Sequence, residues 1–211
     1  MLFLDPRISG DSQHSCVGCH GSTEGGSRGV YAKGEPVAPG AADGRVAPSL
    51  RGVFATGPYL WDGSIGSLED VVDRMLAVEM RGGTLSEIDR RALIAYLNSL
   101  APSDKGRVEP SGVPVEPATK SMRDGYVLFQ EHCESCHKPP MFRRGFPSTG
   151  NVGTGSSYNI PSLRGLSENG PYGHDGRWAT LEDAVSAILE SRGVELSFKE
   201  RLNLIEYLKL L

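Results

Sequence analysis

The stretch Cys16-Val17-Gly18-Cys19-His20 recurs as Cys133-Glu134-Ser135-Cys136-His137, and the two copies use every cysteine in the chain. Cys-x-x-Cys-His is the attachment pattern of c-type haem. Two thiols add across the vinyl groups, and the adjoining imidazole is held where it can ligate the iron from one face. The pattern therefore predicts two covalently attached haem c groups, one on Cys16 and Cys19 and one on Cys133 and Cys136, with His20 and His137 as iron ligands. A structural zinc uses similar paired-thiolate spacing, and a thioredoxin-like redox pair needs one Cys-x-x-Cys in a βαβ context. Neither alternative accounts for a histidine directly after both pairs.

Bulk properties set the frame around these motifs. A chain of 211 residues suits one or two domains, and 38% apolar with 23% charged residues is an ordinary globular composition. The net charge of -4 argues against nucleic acid as a partner. The 27 glycines and 14 prolines predict many loops, as expected where chain wraps a cofactor. No apolar run approaches the roughly 18 residues a membrane span needs. Met1-Leu2-Phe3-Leu4 leads at once into Asp5-Pro6-Arg7, without the basic start and apolar run of a signal peptide. Haem attachment of this kind occurs outside the cytoplasm. The expectation is a periplasmic or otherwise exported protein, in processed form or as a piece of a longer one.

The haem motifs belong to a larger internal repeat. Pro48-Ser49-Leu50-Arg51-Gly52 returns as Pro161-Ser162-Leu163-Arg164-Gly165, Gly57-Pro58-Tyr59 as Gly170-Pro171-Tyr172, and Asp62-Gly63 as Asp175-Gly176. Leu68-Glu69-Asp70 returns as Leu181-Glu182-Asp183, all at an offset of 113 residues, against 117 for the haem motifs. Residues 101–120 are proline-rich and polar and read as a linker. The chain thus divides into a first haem domain over 1–100 and a second over 121–211. Ser67, Thr180, Ser86 and Ser197 each open a capping-box-like helix start, and Arg123 to His132 reads as a helix delivering the second motif. The first half has only Leu2-Phe3-Leu4 in that place. The predicted fold is mainly α: two tandem cytochrome c-like domains with long loops, packed about a pseudo-twofold relation.

These motifs resemble the bacterial dihaem cytochrome c peroxidase family and its MauG relatives. Leu2 to Asp11 is similar to the entry of that family's N-terminal haem domain, and Leu60-Trp61-Asp62-Gly63 to its Phe-Trp-Asp-Gly stretch. Ile160 to Arg164, followed by Gly170 to Arg177, is similar to the C-terminal domain's signature. The chain is shorter than typical members, so loops shaping the inter-haem region are expected to differ. In that family a distal methionine lies fourteen residues beyond the His-Asp-Gly histidine. The same count from Trp61 reaches Met75, which the resemblance makes the candidate sixth ligand of haem 1, with Met80 as its rival; the alternative is that Met75 is core. From His174 the count reaches Ile188, which cannot ligate, and the sixth position of haem 2 stays open between no ligand and another side chain.

What occupies those far faces separates carrier from catalyst. A strong sixth ligand suits electron transfer, and an open site admits substrate. The leading expectation is an electron carrier between a donor and an acceptor protein, as part of a larger redox system. The alternative is reduction of hydrogen peroxide. Val78-Glu79-Met80 resembles the Val-Glu-Met stretch of the peroxidatic domain, which implies acid–base work for Glu79, with His174 a further candidate at haem 2. Against it, no histidine lies between His20 and His132; MauG-like members manage with an open haem. A small-ligand sensor on an open haem 2 is a third class. Arg51 and Arg164 recur in both halves and are candidates for the haem propionates.

Overall fold

The computed structural model describes residues 1–21, 29–32, 35–103, 105–144, 149–151 and 157–211. It is helix-rich with little sheet. In chain order come α1 (Cys16–His20), β1 (Val30–Ala32), β2 (Glu35–Pro36), β3 (Arg45–Val46), α2 (Leu68–Arg74), α3 (Glu87–Ser99), α4 (Lys120–His132), β4 (Thr149–Asn151), β5 (Ser157–Asn159), α5 (Leu181–Ser191) and α6 (Phe198–Leu208). The small antiparallel sheet β2-β1-β3 and the β4-β5 pair lie in stretches expected to be loop. Strands of two or three residues are too short to leave an alternation in the sequence.

The helix starts fall where the capping residues place them. Ser67 accepts from Asp70 N, Thr180 from Asp183 N, Ser86 from Asp89 N and Ser197 from Glu200 N. Each cap satisfies an end N–H that has no intrahelical partner. One face of each helix then enters one of two apolar clusters. Leu68, Val72 and Leu76 join Leu93, Ile94 and Leu97 in the first. Leu181, Val185 and Leu189 join Leu204, Ile205 and Leu208 in the second. In the second half α4 crosses α6 so closely that a Cβ on Gly125 would lie 2.0 Å from the Asn203 carbonyl oxygen; only glycine permits that approach.

The repeat extends to atomic detail. Gly52 N donates to Leu100 O and Gly165 N to Leu211 O, each at the end of its half's last helix. Both glycines have φ of 70°, which a side chain would oppose. Phe3 meets Tyr96 at 5.1 Å and Phe129 meets Tyr207 at 5.1 Å, so the short opening turn Leu2–Leu4 fills the place of α4. The stretch read as a linker is folded. Val108 is buried in the second cluster, Val115 N donates to Arg107 O, and the Tyr207 hydroxyl donates to Gly112 O at 2.8 Å.

The halves meet in a reciprocal seam. Val46 N donates to His174 O at 2.9 Å, and Asn159 N donates to Trp61 O at 2.8 Å. Val46 and Asn159 are 113 residues apart, as are Trp61 and His174. Position i of one half thus contacts j of the other while j contacts i, the signature of a twofold relation.

Candidate haem sites

The first motif forms the short helix α1, and the second forms a turn off the end of α4, with His137 N bonded to Cys133 O at 2.9 Å. All four cysteines are free thiols of intermediate burial. Burial pushes the Cys16 thiol up to about 11 and the Cys133 thiol up to about 12. That is opposite to the depressed thiol of a redox-active Cys-x-x-Cys pair. The two pairs lie in different halves, and among the described residues no three His, Cys, Asp or Glu side chains gather as a metal cage would require.

Both histidines are prepared as ligands. His20 Nδ1 lies 2.9 Å from Pro48 O, and His137 Nδ1 lies 2.9 Å from Phe142 O. A carbonyl can only accept, so Nδ1 carries the proton and Nε2 keeps its lone pair for a metal. Burial lowers both imidazole pKa values, partly offset by the carbonyls of Pro48 at His20 and of Phe142 and Pro161 at His137. The neutral ring, the state that binds iron, is favoured. The repeated prolines 48 and 161 thus both stand at a histidine. Paired half-buried thiols beside an imidazole with a fixed tautomer fit covalent haem in each half.

Met75 and Ile188 sit at matched positions 113 residues apart. Both face away from the clusters that hold Leu76 and Leu189: Met75 is half-buried outside the core, and Ile188 is exposed. Met80 packs against the first core, and its carbonyl accepts from Gly10 N. After α2 the chain widens into a π-turn, Met75–Glu79, closed by Met80 N to Met75 O at 2.9 Å. The π-turn carries half-buried Glu79, whose carboxylate is close enough to raise the Cys19 pKa behind the larger effect of burial. π-turns of this kind are frequent at functional sites. In the second half α5 runs through the matched positions as regular helix, and Arg192 Nη2 lies 3.9 Å from Cys136 Sγ.

The remaining candidates are placed as follows. His174 stands at the seam, its ring stacked on Tyr158 at 4.1 Å and 6.5 Å from the Trp61 ring. Its Nε2 is 3.9 Å from Asp175, which Arg177 grips. Arg45 covers the other side of Trp61 at 4.5 Å. Arg164 donates from Nε to Pro140 O and lies 4.8 Å over the Phe142 ring. It thereby braces the loop whose carbonyl holds His137. Arg51 is half-buried, its backbone N bonded to Ser49 Oγ. His14 pairs with Asp11, and His132 is near Glu131. Tyr59 and Tyr172 donate to Val53 O and Leu166 O, matched structural bonds. Sequence reading missed Tyr158 and Asn159; extending the 113-residue offset backward from Pro48 and Pro161 reaches both them and their partners Arg45 and Val46.

Two such sites in one chain fit a haem protein. Comparison with known proteins says of which kind. The family model of the di-haem cytochrome c peroxidases matches residues 1–101. The methylamine utilization protein MauG of Methylorubrum extorquens is 26% identical, over 100% of this chain and 76% of its own length. Cytochrome c peroxidase Ccp of Escherichia coli is 23% identical, over 98% of this chain and 56% of its own. A chain of Kuenenia stuttgartiensis hydrazine synthase shares the fold with a TM-score of 0.78 at 22% identity, covering 100% of this chain and 85% of that one. The chain is therefore similar along its whole length to the di-haem cytochrome c peroxidases and MauG proteins, the resemblance its motifs carry. It spans little more than half of the Escherichia coli relative.

Proposed function

We propose that the chain is an exported dihaem oxidoreductase that reacts with hydrogen peroxide at haem 1 and passes electrons through haem 2. The observation that carries this reading is Glu79 on the π-turn, which with Glu35 is one of two carboxylates whose charge reaches the Cys19 thiol. The kinship with peroxidases favours it over simple electron carriage.

When bound, haem supplies an iron that can accept or donate single electrons and a face on which peroxide can be cleaved. The chain supplies the rest. Cys16, Cys19, Cys133 and Cys136 hold the two groups covalently. His20 and His137 present Nε2 because Pro48 and Phe142 retain the Nδ1 protons. Heterolysis of peroxide needs a group that moves a proton from one oxygen to the other, and Glu79 takes that role. His174 has a positioning role at the seam, where its ring packs with Tyr158 and Trp61 between the halves. Electrons come from a donor protein on the haem 2 side. Among the described residues no helix is long and apolar enough to cross a membrane, and export follows from the site of haem attachment.

The test is an absorption spectrum of the oxidised and reduced protein, repeated after hydrogen peroxide. A high-spin haem that responds to peroxide, and peroxide consumption with a reduced donor, support the reading. Two low-spin haems with a methionine-to-iron band from Met75 and no response would overturn it and leave electron carriage.

A further inference from the structure

Arg143 carries the feature the haem sites leave unexplained. It follows Phe142, whose carbonyl holds His137, and its side chain crosses the seam. There Nη1 donates to Gly57 O at 2.5 Å and Ala55 O at 3.3 Å in the first half. Its other two nitrogens, Nε and Nη2, are shielded from solvent and meet no acceptor among the described residues. A buried donor left unbonded is costly, the more so on a charged group. Burial lowers the Arg143 pKa, with the nearby Tyr59 opposing.

The two unused donors are not an arbitrary pair. Nε–H and Nη2–H lie side by side on one edge of the guanidinium, the fork that matches the two oxygens of a carboxylate. Three other arginines of this chain use that same edge. Arg7 grips Asp5 at 2.9 and 2.6 Å, Arg90 grips Asp73 at 3.0 and 2.7 Å, and Arg177 grips Asp175 at 2.9 and 2.6 Å. At Arg143 the same edge is buried and meets no carboxylate among the described residues.

We infer that the Nε/Nη2 edge of Arg143 binds a haem propionate at the seam between the two halves. Haem carries two carboxylates, and this guanidinium stands one residue from the carbonyl that anchors the haem 2 histidine, with its Nη1 fixed on the Ala55–Gly57 loop of haem 1's half. The inference rests on the haem reading but not on peroxide chemistry. Arg164, the arginine the repeat singled out, donates its Nε to Pro140 O and lies over the Phe142 ring.

The experiment is a redox titration of the dihaem protein with Arg143→Gln and Arg143→Lys, paired with redox-difference infrared spectra of protein carrying carboxyl-labelled haem propionates. Loss of a cation from a propionate stabilises the oxidised haem. Arg143→Gln is expected to lower one midpoint potential and move one labelled carboxylate band, and Arg143→Lys to restore part of both. The midpoint that moves identifies whether haem 1 or haem 2 supplies the propionate. If Arg143→Gln fails to retain haem, Arg143→Lys is read alone, and a moved band supports the inference. Unchanged midpoints and bands in a variant that holds both haems overturn it. Absence of haem from the parent protein would instead sink the haem reading itself.

Discussion

Glu79 and Arg192 occupy matched positions 113 residues apart and carry opposite charge. Glu79 acts on Cys19 from a π-turn; Arg192 lies 3.9 Å from Cys136 at the end of a regular helix. Around them the halves agree closely in caps, core helix faces, tyrosine hydroxyl bonds and histidine anchors. A duplicated scaffold thus keeps its frame while side chains at matched positions diverge in charge. Met75 against Ile188 is a second pair that differs, and Trp61 against His174, at the seam, a third. The lesson is that the proposed proton-moving carboxylate has a guanidinium, not a second carboxylate, at its matched position.

Each part of that contrast can be broken. Glu79→Gln is expected to cut peroxide turnover about 10²–10⁴-fold, the usual contribution of a positioned acid–base group, in a steady-state assay with a reduced donor. Turnover equal to the parent would remove Glu79 from the chemistry. Ile188→Met should add a methionine-to-iron band at haem 2 and raise its potential; an unaltered spectrum would mean that position 188 does not face the iron. Glu79→Gln should also raise the haem 1 potential, by on the order of 1 kcal/mol for a half-buried charge at short range. Arg192→Gln should lower the haem 2 potential by less, because Arg192 is exposed and screened. Potentiometry of the two variants reads both shifts, and a gap between the haems that fails to narrow would show that these charges do not set it. The smallest effects test what the halves share. Ser67→Ala and Thr180→Ala should each cost about 1 kcal/mol in denaturant unfolding, and unequal costs would show that the two frames are less alike than their bonds.

The shared frame was legible because its signals are local. A hydroxyl three residues before an acidic side chain marks a helix start, and Cys-x-x-Cys-His marks a haem. The seam was not, because its residues differ between halves: Arg45 answers to Tyr158 and Val46 to Asn159. Val46 and Asn159 meet their partners through backbone N–H groups, which any residue type can supply. Arg143 was hidden for a related reason. An arginine in a loop, here followed by a second at 144, gives no sign in sequence that two of its donors will be buried. The π-turn also lacks a local signature, since Val71, Val72, Met75 and Leu76 keep an ordinary helical spacing. The proline-rich 101–120 stretch misled by composition: Val108 is its buried apolar anchor, and one such residue in a polar run carries no period.

The reciprocal seam has a consequence for ancestry. Val46 on His174 and Asn159 on Trp61 are one contact made twice, and it is the contact that two separate copies of a single module would make on dimerising. In such a pair every substitution appears on both sides of the axis at once. Joining the copies in one chain ends that constraint, so a carboxylate can settle at one cofactor and a guanidinium at the other. The inherited symmetry survives where the halves touch, and specialisation begins where they no longer need to match.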